Sequence, residues 1–110
     1  MEREKLTDLE FVLLTMLGQL GPTHPYRLGR EVETRAGGSV VSLGAMYKAV
    51  HRLEKHELVK SHWEDVDPVE AKRPRRRVYE ITGLGERVAK QTSEQRAALL
   101  RPALGMRGAS

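Results

Sequence analysis

The sequence contains no cysteine, which excludes a disulfide framework and a thiolate metal site and suits a reducing compartment. Long apolar runs are also missing. The longest, Phe11 to Leu20, is interrupted by Thr15, Gly18 and Gln19, is too short to cross a bilayer and lacks the flanks of a signal peptide. Catalytic signatures are equally scarce. The four histidines, His24, His51, His56 and His62, show no HExxH spacing, and His51 and His56 fall on different sides of a helix. No phosphate-cradling glycine loop, G-x-S-x-G elbow or carboxylate dyad with a defined scaffold is present. A chain of 110 residues holds one modest core, without room for a deep cleft and a separate lid. These absences point away from an enzyme, a metal or cofactor protein and a membrane protein, and toward a cytoplasmic binding module. There is no internal repeat.

What the chain does have is an uneven charge distribution. The formal net charge is +4, yet Lys72, Arg73, Arg75, Arg76 and Arg77 place five cations within six residues, leaving 14 basic and 15 acidic residues elsewhere. Such a run is either an electrostatic footprint for phosphates or a solvated loop. The patterning predicts helix, helix, helix, strand, strand, helix. Thr7 and Glu10 form a capping box, so a first helix starts there and runs to about Leu20, with Leu9, Leu13, Met16 and Leu20 as its main stripe. Phe11 and Leu14 fall outside that stripe, on a side a monomer is expected to leave wet, which points to a subunit interface. Gly21 to Pro25 is a turn. A second helix runs from Tyr26 to about Arg35, with Leu28 and Val32 inward, and stops at Gly37-Gly38. Leu58 to Trp63 and Arg77 to Ile81 read as strands around a polar insert, Glu64 to Arg76, whose Asp65, Asp67 and Glu70 can pair with the arginines. Thr82 caps a last helix to about Leu100, carrying Leu84, Val88, Leu99 and Leu100, with Gln91 and Gln95 weakening its stripe. The tail from Arg101 to Ser110 is expected to fray.

The segment Ser42 to Glu54 is the most informative. Ser42 is an N-cap for a helix running to about His56. At 100° per residue Leu43, Met46, Val50 and Leu53 share one side, with Tyr47 at its edge, while Lys48, Arg52 and Lys55 share the other. A helix that packs on a core and presents cations outward suits a polyanion, although an isolated helix reads equally as an ordinary solvated face. Lys48 and Arg52 are the candidates for groove contacts, because an Arg can bond a guanine edge in two places and either can touch phosphate. Ser42 caps first and can touch phosphate as well. Tyr47 can close the core edge while its hydroxyl reaches a phosphate. Alternation along a strand lets only about two of Arg73, Arg75, Arg76 and Arg77 face one way. Trp63 and Tyr79 read as packing residues.

The run Ser42, Gly44, Ala45, Met46, Tyr47, then Arg52-Leu53-Glu54, resembles the recognition helix of the PadR family of winged-helix transcriptional regulators. Arg76-Arg77-Val78-Tyr79-Glu80-Ile81 followed by Thr82 and Gly85 is similar to the family's wing exit. Leu9, Glu10, Leu13, Leu14 and Leu17 resemble its first helix. The sequence departs from the family pattern at Pro25 and Glu57, where Gly is usual, and at Lys48, where Pro is usual. Glu57 implies a looser turn, since a sharp helix end prefers a residue that tolerates the left-handed conformation.

The resemblance implies a mainly α fold with a small two-stranded β wing. Residues 1–82 would form the winged helix-turn-helix and 83–110 a C-terminal dimerisation helix with a frayed tail. It implies a sequence-specific regulator of transcription, a repressor binding double-stranded DNA as a homodimer on a palindrome. Ser42, Gly44, Ala45, Tyr47, Lys48, Arg52, Arg73, Arg75, Arg76 and Arg77 would lie at the DNA, and Phe11, Leu14, Leu84, Val88 and Leu99 at the dimer interface. Relatives often respond to small molecules between the dimer halves, and here the sequence names no effector. The alternative is a winged-helix domain that uses its acidic and basic wing segments to bind a protein.

Overall fold

The computed structural model describes residues 5–35, 37 and 41–109, with 102–109 described by their backbone course alone. Helix α1, Asp8–Leu20, starts at the expected capping box: the Thr7 hydroxyl accepts from the Glu10 amide, and the Thr7 amide donates to Glu10 Oε1 at 2.8 Å. It ends at Gly21, whose φ of 80° lets its amide reach the Leu17 carbonyl. α1 is the central element of the core, packed against α2, α3, α5 and the second wing strand. Leu13, Leu14, Met16 and Leu17 are all buried on it. This corrects the expectation for Leu14, which is 0% exposed within the single chain. A helix with four neighbours needs a broad apolar perimeter, which a single-stripe reading mistakes for a wet side.

Helix α2, Pro25–Arg35, begins one residue earlier than the Tyr26 of the sequence reading, with Pro25 in the first turn, where a missing amide costs nothing. Leu28 and Val32 face inward as expected. Gly37 takes φ 70° beyond its end, while Gly38 lies outside the described residues. Helix α3, Leu43–Lys55, is capped by the Ser42 hydroxyl, which accepts from the Ala45 amide at 3.1 Å. Met46, Ala49, Val50 and Leu53 form its buried face. Leu43 does not join them: it is 48% exposed, because the first turn of α3 overhangs the core.

The turn after α3 is tight rather than loose. The Leu58 amide donates to the Leu53 carbonyl and the Glu57 amide to the Glu54 carbonyl, closing a Schellman motif around Glu57 at φ 63°. Glu57 is thus held in the left-handed region, at a cost of roughly 1 kcal/mol for a side chain with a Cβ.

Strands β1, Val59–Trp63, and β2, Arg77–Ile81, pair antiparallel, with Val59 opposite Ile81 and Trp63 opposite Arg77. The segment between them contains a helical turn, α4, Pro68–Ala71, which the sequence reading did not foresee. Asp67 caps it through the Val69 amide, and Lys72 closes it at φ 57°. A further rung, also unforeseen, joins the loop before α2 to the wing. Thr23 and Tyr79 exchange both backbone hydrogen bonds, at 3.0 and 2.8 Å.

Helix α5, Gly83–Ala109, leaves the wing through Thr82. That hydroxyl donates to the Glu57 carbonyl at 2.7 Å and accepts from the Gly85 amide at 3.0 Å, while the Thr82 amide donates to the Leu58 carbonyl. Gly85 lets α5 pass against the chain here: a Cβ on it would lie 2.0 Å from the Leu58 carbonyl oxygen. Val88 is buried in the core and Leu84 and Ala89 pack at its margin. The backbone of the helix runs to Ala109, beyond the expected end near Leu100, and Ser110 lies outside the described residues. From Ser93 to Arg101 every side chain is exposed, so the distal helix projects and the molecule measures 65 × 37 × 20 Å. The architecture is mainly α with a two-stranded wing, a winged helix-turn-helix.

Candidate nucleic-acid interface

The outer face of α3 and the wing enclose an open groove of about 700 Å³. Tyr47, His51 and Glu54 line it from α3, and Trp63, Tyr79 and the arginines of the 73–77 run from the wing. Its floor is aromatic. Tyr79 is 1% exposed, and burial pushes its hydroxyl above the usual tyrosine range, so it stays neutral. His51 stands between Tyr47 and Tyr79, with ring centroids 6.4 and 6.5 Å apart. The sequence reading did not single out His51, yet it lies one turn from Tyr47 on the exposed face. That spacing was the available signal.

Ser42, Gly44, Tyr47, Lys48 and Arg52 are all exposed along α3, and Ala45 is half-buried. The fold does not require glycine at Gly44, because a Cβ there would meet nothing within 4 Å. The Ser42 hydroxyl oxygen is engaged in capping. Arg52 is exposed as expected, but its guanidinium is engaged. Its Nε lies 3.0 Å from Oε2 of Glu10, a carboxylate that is only 2% exposed, so Arg52 ties α3 to the start of α1. Contact between residues so far apart in sequence arises only from the crossing of the two helices.

The arginines of the wing run are engaged in different ways. Arg73 pairs with Glu64 through both guanidinium nitrogens, and that pairing holds the Glu64 carboxyl down at about 2 and raises the Arg73 guanidinium above its ordinary value. Glu64 also accepts from the Arg76 amide at 2.9 Å. The acid that braces the wing is therefore Glu64, not the expected Asp65, Asp67 and Glu70, of which Asp67 caps α4. Arg75 Nε donates to the Val66 carbonyl at 2.9 Å. Arg77 Nε donates to the Ser61 hydroxyl at 3.0 Å, and its guanidinium stacks 5.1 Å from the Trp63 ring centroid. Trp63 is 59% exposed, so its packing is across the strand pair, as a surface platform for Arg77, and not in the core. Among the described residues the side chains of Arg75, Arg76 and Arg77 form no ion pair with a carboxylate, although Arg76 helps to hold the Glu64 carboxyl down.

The residues expected at a dimer interface are divided by the structure. Leu14 and Val88 belong to the chain's own core, Leu84 and Phe11 are half-buried, and Leu99 is 80% exposed. Phe11 is covered by Arg96, whose guanidinium lies 4.5 Å from the ring centroid and also bonds Asp8 at 2.8 Å. Among the described residues no cluster of His, Asp or Glu could hold a metal ion, and no helix is long and apolar enough to cross a membrane.

Solved structures share this architecture. A transcriptional regulator from Clostridium thermocellum aligns with a TM-score of 0.72 and 23% identity, over 89% of this chain and 87% of that one. A PadR-like transcription factor from Bacteroides fragilis aligns at 0.75 and 19%, over 89% and 88%. The adhesin competence repressor of Streptococcus pyogenes aligns at 0.64 and 19%, over 96% and 69%. At these identities the likeness establishes the fold. No curated protein matches the chain in sequence. The PadR-like family of transcriptional regulators, by contrast, matches residues 13–91. With that match spanning most of the chain, and with the wing, the capped α3 and the Thr82–Gly85 exit all in place, the protein belongs to the PadR-like family of transcriptional regulators.

Proposed function

We propose that the protein is a sequence-specific double-stranded DNA-binding regulator, a repressor that acts as a cytoplasmic homodimer on a palindromic operator. The observation that carries this reading is the exposed face of α3, with Gly44, Tyr47, Lys48 and His51, set across an open groove from Arg75, Arg76 and Arg77, whose side chains form no ion pair among the described residues. α3 enters a major groove, where Lys48 and the exposed part of Arg52 meet base edges or phosphate. Arg75, Arg76 and Arg77 follow the backbone beside it. Ser42 and Ala45 sit at the entrance of the helix. Repression fits a dimer that occludes a promoter, and one protein of this fold is named a repressor.

Dimerisation is supported by the projecting half of α5, where Leu99 and Leu100 are 80% and 64% exposed. Leu84 and Phe11 lie on the flank such a contact extends along. Two-fold symmetry calls for half-sites roughly 10 bp apart or a multiple of it.

The test pairs two variants against a selected duplex and random DNA. Lys48→Ala is expected to lower the ratio of specific to random affinity with no change in stability. Arg52→Ala is expected to lower that ratio and the melting temperature together, since it strands the buried Glu10 carboxylate. A Lys48→Ala protein with the wild-type ratio shows that this face does not read bases. For the dimer, Leu99→Glu with Leu100→Glu leaves the core untouched and is expected to sediment as a monomer; an unchanged dimer refutes the α5 contact.

A further inference from the structure

Among the residues that line the groove between α3 and the wing, Glu54 is the one acid. It is half-buried in the last turn of α3 and faces the wing arginines beside Tyr47 and His51. In front of a polyanion, a negative charge at that place is a cost unless it serves another end. Its hydrogen bonds show what that end is. Glu54 Oε2 accepts from the Ser61 hydroxyl, and the Ser61 oxygen accepts from Arg77 Nε at 3.0 Å. A guanidinium only donates and a carboxylate only accepts, so the chain has one direction, from Arg77 through Ser61 to Glu54. The carboxylate end strengthens both links, because a hydroxyl that donates to an anion is a better acceptor for the next donor.

This chain joins three elements, since Glu54 belongs to α3, Ser61 to β1 and Arg77 to β2. Ser61 stands opposite Tyr79 in the strand pair and Trp63 opposite Arg77, which places Arg77 diagonal to Ser61. The Trp63 ring supports the same guanidinium, 5.1 Å from its centroid. Arg77 is therefore tied at Nε and covered on one face, while its two Nη nitrogens form no hydrogen bond among the described residues. Held in this way, the guanidinium keeps its terminal fork for a phosphate. Arg73, by contrast, commits both of its Nη nitrogens to Glu64.

We infer that Glu54 and Ser61 are positioning residues, which hold Arg77 against Trp63 with its Nη nitrogens open to the DNA backbone, so that an acid inside the cationic groove strengthens the binding of a polyanion. The inference rests on the DNA-binding reading above and explains how one of its contacts is prepared. Neither Glu54 nor Ser61 needs to touch DNA. What they supply is order in a long side chain before the duplex arrives, which lowers the cost of fixing it on binding.

The experiment has two readouts on the full-length protein. Trp63 is the only tryptophan, so acrylamide quenching of indole fluorescence in the free protein reports on the Arg77 stack. Arg77→Gln uncovers the ring and defines the full rise in quenching, and Glu54→Ala and Ser61→Ala are expected to give much of that rise. The second readout is affinity for a selected and for a random duplex. Glu54→Ala is expected to lose roughly tenfold or more on both, since ordering one long side chain costs roughly two- to tenfold in each subunit and a backbone contact carries no sequence preference. Loss of an acid acting only through its charge raises affinity instead, so the sign of the change separates the two. Glu54→Gln keeps an oxygen that accepts from Ser61 and is expected to recover most of what Glu54→Ala loses. Added to Arg77→Gln, Glu54→Ala is expected to change affinity little, because its effect runs through Arg77. If Glu54→Ala binds as tightly as wild type or more tightly, or if its loss persists in full beside Arg77→Gln, the positioning role is refuted while the DNA-binding reading stands. Unchanged quenching in both Glu54→Ala and Ser61→Ala refutes it as well. A wild type with no affinity for duplex overturns both readings.

Discussion

Gly44→Ala sets the fold and the proposed function against each other. Gly44 is the second residue of α3, is exposed, and has open space where a Cβ would stand. Within the chain nothing is gained by glycine. Alanine is better in a helix by up to about 1 kcal/mol and also narrows the unfolded ensemble. Near a helix end the effect is smaller, so a gain of about 0.5 kcal/mol is expected, which is a rise of roughly 2–4 °C in melting temperature. DNA binding should move the other way. If the first turn of α3 enters a groove, the space beside Gly44 is filled by the duplex, and a methyl group there pushes the helix outward. A loss of about tenfold in affinity for the selected site, or about 1.4 kcal/mol, is the expected outcome. Thermal melting followed by circular dichroism reads the first quantity and fluorescence anisotropy of a labelled duplex the second. A variant that is stabilised and binds as tightly as wild type refutes close approach at this position. One that is destabilised refutes the claim that the fold does not need the glycine.

Gly85→Ala is expected to cost about 3 kcal/mol or more in chemical denaturation, because its Cβ would meet the Leu58 carbonyl oxygen at 2.0 Å and α5 cannot retreat without opening the Thr82 hydrogen bonds. A near-neutral substitution shows that α5 does not pass so close. Glu57→Gly should stabilise by about 1 kcal/mol through relief of the left-handed conformation at φ 63°; a loss of stability indicates that the Glu57 side chain contributes more than the strain removes. Glu64 is held at about 2 against 4.5 by Arg73, and a depressed carboxyl supports the folded wing fully above about 4.5 and loses that support as pH falls through about 2. Carboxyl NMR titration should find that low midpoint and its return toward 4.5 in Arg73→Gln, whereas an ordinary midpoint in the wild type removes the brace.

Much of this architecture is local and so was legible in the chain. The Thr7–Glu10 capping box, the Ser42 cap and the alternation in Arg77–Ile81 depend on neighbours a few residues away, and α1, α3 and β2 formed within a residue or two of their expected bounds. Pairings made only by tertiary crossing were not legible. Glu10 with Arg52, Glu64 with Arg73, and the Thr23–Tyr79 rung need helices and strands already in place. The same limit explains Leu14. Periodicity locates one stripe on α1, while burial depends on how many elements surround it. The α3 cations were found by their spacing, and His51, on the same exposed face, was missed because attention to charge passed over an aromatic ring that lines the groove. The arginine run was visible as composition, but which arginines are committed to an acid was not.

The central claim is that the α3 face and the wing of a dimer read duplex DNA. Selection from a pool of random duplexes, repeated to convergence with the full-length wild type at moderate salt, tests it most directly. The account predicts enrichment of a two-fold symmetric sequence with half-sites roughly 10 bp apart or a multiple of it, and loss of that enrichment with Lys48→Ala. A pool that stays random after repeated rounds, with all duplexes retained equally or none retained, contradicts it.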